Sequence, residues 1–208
     1  MKRVWRVLKK IMKGEDVLTV RQSAEAWDKQ FREGKWDFLV EDIQKQGHAV
    51  LIGMMCRSRA MRGDITVLDI GCGNGIVARM VRSMCGEKCR YFGIDISQAA
   101  LDGLKKEDPD AVLVCADAND PPPFIEKFDV IIFSEVLLYL DFRNILDRYR
   151  DLLSKDGVII FSLYDSWRTK MIVRNMRTKL QYISSYIITN EQSGITWTVA
   201  MAQLPNPS

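Results

Sequence analysis

From Thr66 onward, short apolar runs alternate with longer stretches in which apolar residues recur every three or four positions. That alternation is the pattern of strand and helix units feeding a mostly parallel sheet with helices on both faces, an α/β doubly wound fold. The apolar runs predict strands at 66–70, 90–95, 111–115, 128–133 and 158–163, and the periodic stretches predict helices at 75–84, 97–106, 142–154 and 166–179. Asp120-Pro121-Pro122-Pro123 has neither the N–H groups nor the φ freedom for a helix or a central strand, so it reads as a rigid connection. After the last helix, 181–189 and 195–204 are both β-rich around a polar turn ending in Gly194, which predicts an antiparallel hairpin closing one edge.

Upstream of the first strand the pattern is helical. Ser23 is placed to cap a helix running through Phe31, and a longer one is predicted over 36–59 with Gly47 as its weak point. These helices precede the first strand and are expected to cover the mouth of any site at the strand ends. Val4, Leu8 and Ile11 fall on one side of a short helix whose remaining positions are basic. Attachment to an anionic membrane surface and simple docking on the domain both fit that pattern. The expected division is a helical extension at 1–61, an α/β domain at 62–204 and a tail at 205–208, together one globular unit.

Composition narrows the partners. The 208 residues suit one well-buried domain, and no apolar run approaches the roughly 18–20 residues that span a bilayer. The net charge of +3 conceals an asymmetry: residues 1–13 hold six bases and no acid, and the rest holds 24 bases against 27 acids. A broad basic surface for nucleic acid is therefore not expected. Five scattered cysteines, whose nearest pair, Cys85 and Cys89, lacks metal-ligand spacing, argue against a disulfide framework or a zinc site. Charges interrupt the N-terminal apolar positions as no signal peptide would allow, so the reduced cytoplasm is the expected compartment, with the inner membrane surface as a variant of it.

The chemistry concentrates where the first predicted strand ends. Val67-Leu68-Asp69-Ile70 runs into Gly71-Cys72-Gly73-Asn74-Gly75 and then into the helical Ile76-Val77-Ala78. Glycines between a strand and a helix let backbone approach a ligand without Cβ clashes. A dinucleotide fingerprint requires glycine at the sixth position, where this chain has Ile76, so pyrophosphate binding is disfavoured. Asp95 ends the next strand, 24 residues after Gly71, where a carboxylate accepts the two ribose hydroxyls of an adenosine. Asp117 follows the third strand and is placed to read an adenine edge.

This ordered series, over residues 64–164, resembles the class I S-adenosylmethionine (SAM)-dependent methyltransferases. The resemblance implies SAM as cofactor and S-adenosylhomocysteine as product. It implies Asp69, Gly71, Cys72, Gly73 and Gly75 around the methionine part, Asp95 on the ribose, Ile96 against the adenine face, and Asp117 with Ala118 at its edge. It also implies the strand order 3-2-1-4-5-7-6 with the seventh strand antiparallel.

Ser134-Glu135-Val136-Leu137-Leu138-Tyr139-Leu140-Asp141, after the fourth strand, is where groups facing the methyl acceptor are expected, with Ser134 on the cofactor side. The segment lacks the Asn/Asp-Pro-Pro-Tyr/Phe sequence with which many nucleobase and glutamine methyltransferases grip a planar amine, and no carboxylate pair suggests a magnesium site. Metal-free transfer is therefore expected. Glu135 is the candidate base or amine ligand, Tyr139 a candidate orienting group, and His48, the only histidine, a candidate second base; a helix-start carboxylate, a core aromatic and a bystander are the respective alternatives. Trp27 and Trp36 are expected either to shield the cofactor or to anchor packing. With Phe31, Gly34-Lys35-Trp36 and Gly194-Ile195-Thr196-Trp197, these residues are similar to small bacterial methyltransferases of the nodulation and polysaccharide-cluster type, although Leu138 stands where those have an aromatic residue. That similarity implies a sugar, glycan or other small polar acceptor methylated on oxygen or nitrogen. Arg168, Lys170, Arg174, Arg177 and Lys179 are candidates for binding a phosphate or carboxylate, or simply form a solvated helix face. The competing functional readings are a nucleic-acid or protein methyltransferase and a catalytically silent SAM-binding partner protein.

Overall fold

A computed structural model of the chain describes residues 22–37, 42–58 and 63–205. The basic segment 1–13 and tail residues 206–208 lie outside the described residues. Seven strands build one sheet: β1 (Ile65–Ile70), β2 (Cys89–Asp95), β3 (Val112–Cys115), β4 (Phe128–Ser134), β5 (Leu153–Tyr164), β6 (Gln181–Thr189) and β7 (Thr196–Gln203). Their order is β3-β2-β1-β4-β5-β7-β6, with the first five parallel and β7 antiparallel to both of its neighbours. Around it lie α1 (Ala24–Arg32), α2 (Asp42–Arg57), α3 (Ile76–Cys85), α4 (Gln98–Glu107), α5 (Ile145–Tyr149) and α6 (Trp167–Lys179). No helix among the described residues is long and apolar enough to cross a membrane.

The central strands are buried on both faces, which is why they read as unbroken apolar runs. Val130 and Ile132 face a cluster with Leu51, Val77, Val81 and Leu104, while Ile131 and Phe133 face one with Tyr149, Ile172 and Met176. Each such fully buried side chain contributes about 1.5–3 kcal/mol, so β1 and β4 form a stiff base for what their ends carry. Two crossovers start from side-chain caps: Ser97 Oγ accepts from Ala100 N, and Ser166 forms a capping box with Thr169.

Several expected boundaries move. The helix predicted over 142–154 is only five residues of α helix followed by a 3-10 turn, because Leu153 already pairs with Phe128 at the start of β5. The polar stretch Ser154-Lys155-Asp156-Gly157 resembles a turn in sequence but is absorbed as an irregularity between the Phe128 and Val130 pairings. The helix predicted from Trp36 does not start there. Gly34, at φ 64°, reverses the chain after α1 and leaves Trp36 in that turn, with α2 beginning at Asp42.

Candidate functional site

β1 leads into three glycines at left-handed angles, Gly71 (φ 73°), Gly73 (φ 52°) and Gly75 (φ 84°). A side chain at any of them is strained, since an L-residue there sets Cβ against its own backbone. Space adds a second reason at two positions: a Cβ on Gly71 meets the Val136 side chain, and one on Gly75 meets Leu104. The turn is pinned to β2 because Gly71 N and Cys72 N both donate to Ile94 O, at 2.8 and 3.0 Å.

A chamber opens over this turn, lined from every strand end between β3 and β5 and roofed by α1. Among the expected cofactor residues, Asp69, Gly71, Cys72, Gly73, Asp95, Ile96, Asp117, Ala118, Ser134, Trp27 and Trp36 all border it. Gly75 does not. It lies at a close contact of α3 with α4, where a Cβ would meet the Leu104 side chain.

Asp95 ties the floor together. Its Oδ2 accepts Gly73 N at 2.8 Å and its Oδ1 accepts Ser97 N at 2.8 Å, leaving lone pairs on both oxygens for a ligand. Burial raises its pKa, and the backbone donors oppose that rise. Asp69 accepts the Tyr91 hydroxyl at 2.6 Å on Oδ2, whereas its buried Oδ1 has no hydrogen-bond partner. Burial pushes Asp69 up to about 7 despite the Tyr91 hydroxyl. Asp117 turns one oxygen to Asn119, accepting from its backbone N at 2.8 Å and its side-chain amide at 2.9 Å.

The roof is aromatic. Trp27 meets Tyr139 edge-on at 5.0 Å and tilts against Trp36 at 5.5 Å, while Phe31 lies 3.4 Å from where a Gly73 Cβ would stand. Asp28 latches this helix down: its Oδ1 accepts Ser97 Oγ at 2.7 Å and Ala99 N at 3.1 Å at the start of α4.

Beyond the turn the lining changes character. Glu135 is the one non-glycine residue at positive φ among the described residues, at 56°. Its N donates to Ser162 O at 3.0 Å and its Oε2 accepts Tyr164 N at 2.9 Å, so β5 holds both ends of the residue. Oε1 is buried without a hydrogen-bond partner, and burial pushes this carboxyl up to about 7. Ser134 Oγ lies 3.3 Å from Ser162 Oγ. Tyr139, Tyr164, His48 and Trp197 complete this side of the chamber, and burial raises both tyrosine hydroxyls. Glu135 does not start a helix, and both it and Tyr139 border the chamber, Tyr139 also packing against the core cluster on the α6 side.

Sequence reasoning missed Tyr91, Asn119 and Tyr164, and it quoted Phe31 and Trp197 for a resemblance without giving them a role in the site. Tyr164 ends β5, so the rule that α/β ligands lie at carboxyl strand ends points to it. Trp197 enters from an antiparallel strand, where that rule does not apply.

The residues present fit a SAM-sized nucleoside: a glycine cradle that a Cβ would fill, a buried orphan acceptor on Asp69, and a carboxylate with free lone pairs on Asp95. Residues 68–161 match the family model described as methyltransferase domain. The aklanonic acid methyltransferase of Streptomyces sp. (strain C5) is 26% identical over 161 residues, covering 62% of this chain and 73% of that protein. The mitochondrial ubiquinone biosynthesis O-methyltransferase of Candida albicans is 30% identical over 120 residues, covering 52% of this chain but 36% of its own length. In fold, the chain is similar to the N-methyltransferase NodS from Bradyrhizobium japonicum WM9 bound to S-adenosylhomocysteine, at TM-score 0.69 and 17% identity over 82% of this chain and 92% of that one. It is also similar to the [4+2]-cyclase SpnF, at TM-score 0.63 and 13% identity over 78% of this chain and 83% of that one, so the fold alone does not name a reaction. The domain match over residues 68–161, the glycine cradle, the chamber and the sheet order together support a SAM-dependent methyltransferase with the fold of the class I enzymes.

Proposed function

We propose that the chain transfers a methyl group to an oxygen or nitrogen of a small polar acceptor, a sugar or glycan, admitted on the Glu135 side of the chamber. The observation that carries this reading is the orphan Oε1 of Glu135, held by a strained backbone and two hydrogen bonds to β5 inside an aromatic-walled space. SAM, when bound, supplies an electrophilic methyl on sulfonium. Asp95, Gly71 and Gly73 hold the cofactor, and Trp27, Trp36 and Phe31 keep water from it.

Glu135 takes up the proton that an acceptor hydroxyl or ammonium must give up. A carboxyl poised near 7 is half ionised at neutral pH, which is the condition a general base needs. Tyr139 and Tyr164 offer aromatic faces and hydroxyls beside it, and these suit the mixed apolar and polar faces of a sugar ring. His48, also on the chamber, is a second candidate for proton transfer. By their names, one of the two relatives above acts on aklanonic acid and the other is an O-methyltransferase of ubiquinone biosynthesis, so the relatives do not select the acceptor.

The test is transfer of labelled methyl from SAM into extract fractions divided into glycan, lipid, protein and nucleic-acid pools. Label in small-molecule or glycan fractions is the expected result. Label confined to nucleic acid or protein overturns the acceptor class, and no label in any pool with SAM bound favours a silent SAM-binding partner.

A further inference from the structure

The positive, partly apolar outer face of α6 has no part in the chamber. From Ser166 to Asn190 the chain carries Arg168, Lys170, Arg174, Arg177 and Lys179 and no acid. Of the eight large apolar side chains exposed among the described residues, Trp167 and Met171 lie on α6 and Ile187 on the strand that follows it, while Tyr186 pairs with Val199 and points to the other side of the sheet. The two properties share a surface for a reason of helix geometry. Thr169, Ile172 and Met176 are buried against the sheet, so Trp167, Lys170, Met171, Arg174 and Arg177 project from the opposite side. Ile187, 76% exposed, extends the same surface: it pairs with Thr198, out of step with the buried Trp197 and Val199, and so points to the α6 side of the sheet.

We infer that this face of α6 docks the protein on an anionic membrane surface. The charge pattern selects that occupant over two others. A second copy across a two-fold axis would set this predominantly basic face, whose flanking Asp165 and Asp147 already meet Lys170 and Lys179, largely cation to cation. A nucleic acid would satisfy the bases and leave Trp167, Met171 and Ile187 in water. A bilayer carrying anionic headgroups satisfies both, with phosphates for the bases and interfacial depth for the apolar side chains. The bases are available for this: Arg174 has no acidic partner among the described residues, Lys170 has only a solvent-exposed contact with Asp165 at 3.3 Å, and Arg177 lies over the Tyr182 ring at 5.2 Å.

The docking face adjoins the acceptor side of the chamber. Arg168, next to Trp167, donates to Leu138 O at 3.0 Å and lines an opening bordered by Asn119, Tyr139 and Leu140, three residues that also line the chamber. Docking therefore brings the Arg168 side of this opening, which Asp120 and Asp141 also line, toward the headgroup layer. The docking itself holds whichever molecule accepts the methyl group.

The experiment is co-sedimentation of the full chain with vesicles of phosphatidylcholine alone or mixed with phosphatidylserine, at low and high salt. The expected result is pelleting with the anionic vesicles only, weakened by salt. The double variant Arg174→Gln/Arg177→Gln partitions roughly 30-fold more weakly, since each basic residue near such a surface counts for close to a factor of five. Trp167→Ala/Met171→Ala also weakens it while keeping the salt dependence. S-adenosylhomocysteine affinity, read by calorimetry, stays unchanged in both, because none of the four residues borders the chamber. No pelleting, equal pelleting on neutral vesicles, or pelleting insensitive to both double variants overturns the inference. So does binding lost only when residues 2–13 are deleted, or a dimer that Trp167→Ala/Met171→Ala dissolves.

Discussion

The two sides of the chamber are built by opposite means. On the cofactor side, one contiguous turn does most of the shaping, with three glycines at left-handed angles and backbone N–H groups bonded to β2 and Asp95. On the acceptor side, the left-handed angle belongs to a glutamate, and residues from β4, β5, β7, α1 and α2 converge on it. The first side needs the absence of side chains; the second needs particular ones in a conformation they do not favour. A site for a fixed cofactor is thus written locally, whereas the side that selects an acceptor is assembled from distant parts of the chain.

The sharpest break in that contrast comes from filling the cradle. Gly71→Ala places a Cβ against Val136 at φ 73°, adding strain of about 1–2 kcal/mol to an overpacking cost of about 1–3 kcal/mol. We expect S-adenosylhomocysteine affinity to fall by two orders of magnitude or more in calorimetry, together with a lowered thermal midpoint. Near-normal binding would mean that the glycines serve the turn and not the ligand.

Removing the charge across the chamber has a different signature. Glu135→Gln is expected to lower kcat roughly 10²- to 10⁴-fold, the range for a lost general base, with S-adenosylhomocysteine affinity intact. The kcat/KM of the unsubstituted chain rises with pH through about 7, and the variant lacks that limb. Stability carries the matching sign. The folded chain keeps a proton on this carboxyl that the unfolded chain releases from its ordinary value of 4.5 upward, so the contribution is full below about 4.5 and is lost as pH rises through 7. The thermal midpoint of the variant should therefore vary less over that window. Asp69, raised by burial in the same direction, contributes equally to both proteins and drops out of the difference. An unchanged pH limb in Glu135→Gln would move the proton-accepting role elsewhere, with His48 the next residue to substitute.

The smallest expected effect concerns the roof, which joins the two sides. Asp28→Ala removes the acceptor for Ser97 Oγ and Ala99 N on a largely solvated helix, a loss of about 1 kcal/mol. Release of S-adenosylhomocysteine in stopped flow should quicken roughly fivefold, with the thermal midpoint of the sheet nearly unchanged. Unaltered release would mean that the aromatic contacts of Trp27, Phe31 and Trp36 hold α1 without the latch.

Local patterning carried much of the architecture. The strands were legible because residues such as Val130 to Phe133 are apolar on both faces, and the hairpin because its polar turn breaks two β-rich runs. Where the pattern misled, a polar segment had two structural outcomes. Ser154 to Gly157 became an irregularity inside β5 because Leu153 found Phe128 across the sheet, a pairing that no local window contains. Gly75 shows the same limit of a local window: its spacing placed it in the turn, and only the tertiary structure set Leu104 of the next helix against it.

By itself the sequence determined the order and kind of the elements, the glycine turn after β1 and the carboxylate at the end of β2. Each of these depends on backbone angles and side-chain alternation within a few consecutive residues. Only the tertiary structure decided that Phe31 lies over Gly73, that Tyr91 occupies one oxygen of Asp69 and leaves the other bare, and that β5 locks Glu135 into a left-handed angle facing the chamber. Those facts rest on partners tens of residues apart, brought together when the sheet closes over its two clusters, and desolvation of their polar atoms exists only once that packing is complete.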